Sequence, residues 1–179
     1  AKDGYFIRAE ALPFVALSGS DNGIRSFVDA RGYKTFGEAR PVTFALRGQI
    51  GSVYGPDLSL APADYLFYSG GGGAVRGQDY QILGVPVGTE TTGGRSFAGV
   101  SAEVRVGVTD SIGIVGFADA GYIGEEEFYD GLGEWHSGAG LGMRYNTAIG
   151  PIRLDVAVPT SGPEADEDFQ IYIGIGQSF

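Results

Sequence analysis

Apolar and polar residues alternate along most of this chain with a period of two. Over residues 4–17, Tyr5, Ile7, Ala9, Ala11, Val15 and Leu17 share one parity, and Arg8 and Glu10 take the other. Such alternation predicts a strand with one apolar and one polar face. A second run over 24–36 sets Val28 and Ala30 against Asp29 and Arg31, with Phe27 and Tyr33 on the polar side. In a third, over 42–54, Val42, Phe44, Leu46, Ile50 and Tyr54 oppose Thr43, Arg47 and Gln49. From Arg95 to Val108, Ala98, Val100, Ala102, Val104 and Val106 oppose Ser101, Glu103 and Arg105. Residues 112–124 put Ile112, Ile114, Ala118 and Ala120 on one face and Phe117, Asp119 and Gly121 on the other. Leu141, Met143 and Tyr145 then oppose Gly138, Gly140, Gly142 and Arg144 between Trp135 and Thr147. Ile152, Leu154, Val156 and Val158 oppose Arg153 and Asp155, and a last run carries Phe169, Ile171, Ile173 and Ile175 and ends at Phe179.

Eight strands result, joined alternately by short and long connections. The short ones fall at about 37–41, 109–111 and 148–151, each rich in turn formers. The longer ones include Ser18–Gly23 and two acidic loops, Glu125–Asp130 and Glu164–Asp168. With the C-terminus on the periplasmic side, every short turn falls there and every long loop falls outside, as in transmembrane barrels. A soluble sandwich or lipocalin-like barrel would point the apolar parity inward and the charges outward. Here the polar face is rich in glycine and carries charges of both signs, while aromatic residues gather at strand ends as a membrane interface requires. The expected fold is all-β, an antiparallel transmembrane β-barrel of eight strands forming one domain over 1–179.

The longest connection, residues 56–94, lacks strand periodicity and contains Gly70–Gly73 followed by Ala74, Val75, Arg76, Gly77 and Gln78. A loop of this length inside a compact fold is usually functional or disordered. Tyr65, Phe67, Tyr68, Tyr80, Ile82 and Leu83 are too many large apolar groups for a merely solvated segment, so the loop is expected to pack. Arg76, once packed, needs a fixed carboxylate partner.

Composition narrows the chemistry. Cysteine is absent and there is one histidine, so neither a thiolate nor a His-rich metal site is available, and no cofactor is expected. A net charge of -10 argues against nucleic acid as partner. The four glycines are no phosphate loop, because no Gly-Lys-Ser/Thr ending or following helix is present. His136-Ser137 invites a barrel-hydrolase reading, but neighbours on a strand point to opposite faces, so one cannot activate the other. The acidic loops lack the ligand and glycine spacing of a calcium loop. No catalytic residue is assigned.

Three separated motifs carry a family resemblance. Gly71 to Gly77, with Val75-Arg76-Gly77, resembles the V-R-G loop motif of the outer-membrane assembly-factor superfamily that includes BamA and TamA. Phe117-Ala118-Asp119-Ala120-Gly121 is similar to its F-x-D-x-G strand motif, and the tail from Gly140 to Gly176 resembles the TamA branch in particular. Gln78 departs from the pattern, which usually has an aromatic there. The resemblance implies that this chain corresponds to the second half of a barrel of sixteen strands, with periplasmic POTRA domains upstream. It implies a loop-barrel lock in which Arg76 pairs with Asp119 and with Glu103, which parity already places inside; Arg105 and Arg144 are the alternative inward partners of these carboxylates. It also implies a C-terminal insertion signal at Tyr172, Gly174 and Phe179, although Gln177 occupies an apolar position of that signal. The implied setting is the bacterial outer membrane. The implied partners are its lipid, client outer-membrane proteins or autotransporters, and a TamB-like inner-membrane protein reached through the POTRA domains. The implied activity is assistance to membrane insertion or secretion, without bond chemistry. A small eight-stranded structural or adhesion barrel is the other reading, and a barrel hydrolase the third.

Open edges are not tolerated in lipid, so the strand at 4–17 is expected to pair with that at 168–179, within one chain or between two. A closed eight-stranded barrel is just filled by its own side chains, so in that monomer the 65–94 segment should be expelled and Arg76 should not reach Asp119.

Overall fold

A computed structural model of the chain describes residues 2–15, 19–148, 150–162, 165 and 168–179. The described residues form ten strands, β1 (Gly4–Phe14), β2 (Gly23–Phe36), β3 (Val42–Tyr54), β4 (Val85–Val87), β5 (Glu90–Thr92), β6 (Ser96–Gly107), β7 (Ile112–Gly124), β8 (Glu134–Thr147), β9 (Gly150–Ser161) and β10 (Gln170–Ile175). Eight of them make one sheet in the order β1-β2-β3-β6-β7-β8-β9-β10, and β4 and β5 pair separately. All neighbours run antiparallel, and tight turns join β2 to β3, β6 to β7 and β8 to β9, while longer connections join the others.

Period two sorts the side chains onto two faces with opposite chemistry. Val100, Ile114, Leu141, Val156 and Ile173 stand on an outer face, Leu141 and Ile173 with 72% and 76% of their surface open. On the inner face Glu103, Asp119, Arg144 and Asp155 are buried, Asp155 completely. An exposed apolar band around a charged interior is the inverse of a soluble protein and suits a hydrocarbon solvent.

The long loop packs, as its apolar groups imply, and it contains short elements that its lack of periodicity hid. It makes 3-10 turns at Leu58–Leu60 and Ala63–Tyr65, the β4-β5 hairpin, and antiparallel bridges between Phe67 and Gly94 and between Ser69 and Leu83. Strands of three residues are too short to leave a periodic signature. Its apolar groups complete a core on the inner face, where Phe67 packs with Phe14, Val53, Val85, Phe97 and Ile123. The Phe67 and Phe97 rings stack at 5.7 Å, and Tyr65 stacks on Phe14 at 4.1 Å. Each large side chain buried this way stabilises by about 1.5–3 kcal/mol.

Two expectations for a closed monomer fail. Among the described residues, β1 and β10 are the edges of the sheet and do not pair with each other, so the sheet is not closed. The loop is accordingly not expelled, because the packing limit of a closed eight-stranded barrel does not apply to an open sheet wrapped around it. The last strand is also shorter than expected. β10 ends at Ile175, Gly176 turns the chain with φ of 98°, and Phe179 is buried on the inner face. There Phe179 lies 6.5 Å from the Tyr33 ring, and Gln177 accepts a 3.1 Å hydrogen bond from Arg144 Nε. A polar residue at 177 prefers that arginine to a lipid-facing place. The expected extension of the first strand through Leu17, Ser18 of the first turn, and most of the 164–168 acidic loop lie outside the described residues.

Candidate functional site at the loop tip

One loop touches every strand of the large sheet. Tyr65 reaches β1 through Phe14, and its carbonyl accepts from Arg25 of β2 at 3.1 Å. Arg47 of β3 donates to the Gly73 carbonyl at 3.2 Å. Arg76 meets β6 and β7, and Gln78 meets β8 and β9. Tyr172 of β10 accepts from the Gly77 N–H at 3.0 Å and donates to the Gln78 carbonyl at 3.2 Å. Glycine makes the approach possible, since a Cβ on Gly138 would lie 1.9 Å from the Arg76 carbonyl oxygen. Gly77 combines φ of 98° with a backbone contact to Val158 that leaves no room for a side chain.

Arg76 is the centre of this arrangement and is 1% exposed. Its Nε and Nη2 donate to the two oxygens of Asp119 at 2.7 and 3.0 Å, and its backbone N–H donates to the same carboxylate at 3.2 Å. Nη1 donates to Glu103 at 2.6 Å and stands 3.5 Å from Asp155. The guanidinium lies over the Phe117 ring at 3.6 Å, a cation–π contact that a desolvated site strengthens. The planar fork of arginine fits this bidentate geometry, whereas an ammonium would not.

Neighbouring cations balance the carboxylates. Arg105 donates to the second oxygen of Glu103 at 2.8 Å, and Arg144 pairs with Asp155. Of the three arginines that the sequence leaves open, Glu103 takes Arg76 and Arg105, Asp119 takes Arg76, and Arg144 goes to Asp155 instead. Burying so many charges is tolerable only because they alternate in sign and their hydrogen-bonding capacity is used.

Asp155, Phe117 and Tyr172 were not expected at the loop. Strand parity already puts Asp155 and Phe117 inside, so a search for every inward carboxylate would have found the third anion. Tyr172 and Gly174 lie in β10, but Tyr172 turns inward to the loop, and Phe179 lies beyond the strand. His136 and Ser137 do fall on opposite sides. His136 is buried with Nε2 2.9 Å from Ser69 Oγ, while Ser137 Oγ bonds Thr160 and Ser161.

A second arrangement lies at the outer rim. Asp130 accepts from Tyr122 Oη at 2.8 Å and from the Leu132 N–H at 2.9 Å, which fastens the acidic loop over Tyr122, Tyr129 and Trp135. The Leu132 N–H, followed by the Tyr122 hydroxyl, holds the Asp130 carboxyl below the usual carboxylate range.

The profile of the Omp85 superfamily domain matches residues 1–179, the whole of the chain. With an inverted antiparallel sheet and a glycine-rich loop seated inside it, the chain belongs to the Omp85 superfamily, outer-membrane β-barrel proteins that assemble or translocate other proteins rather than catalyse reactions.

Proposed function

We propose that this chain is the C-terminal half of a TamA-like barrel of sixteen strands that assists insertion or secretion of outer-membrane proteins, autotransporters among them. The reading is supported by the burial of Arg76 between Asp119 and Glu103 at 2.7 and 2.6 Å, which anchors the loop to the wall as a lock. In the same reading the end of the chain, with Tyr172, Gly174 and Phe179, guides the protein's own insertion, and a TamB-like protein meets POTRA domains upstream. The short turns then face the periplasm and the loop enters from outside.

Such a barrel acts by lowering the cost of unpaired strand edges in lipid, where each backbone group needs a partner. A wall held rigid by an internal loop offers a client strand a fixed template. The test is reconstitution of the full-length protein in vesicles with an unfolded autotransporter barrel. Faster client folding than in protein-free vesicles, reduced by Arg76→Ala, is the expected result. Equal rates with and without the wild-type protein would overturn the reading.

A further inference from the structure

The β8-β9 ladder is interrupted near its long-loop end. Ser137 stands opposite Ser161, yet Gly138 stands opposite Pro159, so the register shifts and Thr160 is bulged. Pro159 has no N–H to give to the ladder. Support from the other side is also missing, because β10 pairs with β9 only as far as Ala157. Among the described residues, Val158–Ser161 therefore has β8 as its single ladder partner. The outer surface at this point is polar as well, with Ser137 Oγ bonded to the hydroxyls of Thr160 and Ser161, each at 2.7 Å.

Gln78 lies against the inner side of that break. It is completely buried, and its Nε2 donates to the Ser137 carbonyl at 3.0 Å and to the Ser161 carbonyl at 2.9 Å, one from each strand. Two carbonyl acceptors fix the orientation of the amide. Its Oε1 takes no hydrogen bond from any described residue, so donation across the seam is what positions it.

We propose that Gln78 is a positioning residue that supplies the donor the β8-β9 ladder lacks, so that seating the loop closes this seam of the wall and withdrawing the loop opens it. An aromatic side chain could fill the space but could not serve two carbonyls at once. The seam lies between β8 and β9, one strand in from the β10 edge, and the inference does not depend on what the barrel handles.

Amide hydrogen exchange of the protein in detergent micelles, read by mass spectrometry, tests this. Gln78→Met keeps length and removes the donor. Exchange at 137–139 and 158–162 should rise by about tenfold or more, the effect of losing two hydrogen bonds, while 141–146 and 152–156 on the same strands stay protected. Unchanged protection at 158–162, or a uniform rise along both strands, would overturn the assignment. Gln78→Glu is the second variant, to be read by the same pattern if Gln78→Met does not refold. At neutral pH it keeps the shape and turns an acceptor toward the two carbonyls, so the same local opening is expected, and wild-type protection would refute the donor role.

Discussion

Arg76 surrenders almost all of its hydration to sit on Phe117 between Asp119 and Glu103. Removing one partner of such a group costs more than forming it stabilised, because the other charges stay buried without it. Arg76→Ala should therefore destabilise the fold by about 3–5 kcal/mol, measured by urea unfolding followed through heat-modifiable migration. Arg76→Lys should recover only part of that loss, since an ammonium cannot engage Asp119 in two parallel bonds. A second residue-scale prediction concerns space rather than charge. Gly138→Ala places a methyl 1.9 Å from the Arg76 carbonyl oxygen, backbone that cannot turn aside. The loop should then unseat, and protease should cut within 65–94 in the folded variant while sparing the wild type. Equal resistance would show that β8 can shift to accept the methyl.

At the scale of elements, strands such as β6 and β7 turn an apolar face outward and a buried polar face toward the loop. Val104 and Glu103 are adjacent on β6, with 40% and 2% of their surfaces open. Spin labels at the two positions should report hydrocarbon at 104 and a slow, packed environment at 103. Equal water accessibility at both would contradict a membrane-spanning β6. The rim loop offers a pH test. The Asp130 carboxyl is held below its usual range in the folded state, so its attachment contributes fully above the unfolded carboxylate value and is lost as pH falls through the lowered one. Trp135 is the single tryptophan and lies 5.5 Å from the Tyr122 ring, so its fluorescence should change over that acidic window and stay flat above it. Asp130→Asn should remove the transition.

For the whole molecule, the decisive feature is that β1 and β10 end the sheet without meeting. Among the described residues no strand pairs with their outer edges, whose N–H and C=O groups hydrocarbon cannot satisfy. Residues 1–179 expressed alone should therefore associate in detergent, edge to edge, and should not be a stable monomer. A monodisperse monomer with exchange-protected amides along β1 would overturn this. In a larger barrel, further strands supply those partners, and the loop fills an interior too wide for wall side chains to fill by themselves.

The faces, the order of the strands and the inward charges were legible in the sequence, because a period of two maps directly onto the two sides of a sheet. Asp119 and Glu103 could be assigned to the interior on that basis, and the loop motif pointed Arg76 toward them. The course of the loop could not be read, because its contacts join residues tens of positions apart through short turns and bridges without periodicity. Closure within one chain is not legible for a related reason. Alternation says which way a side chain points but not how strongly the sheet curves, and curvature depends on what fills the concave side. The contacts of Gln78 are illegible in the sequence for the same reason, since its two acceptors are backbone carbonyls of two strands beside a register shift. Local pattern determined which residues are inside. Tertiary structure alone decided which of them meet, because that depends on the path of one loop across all eight strands.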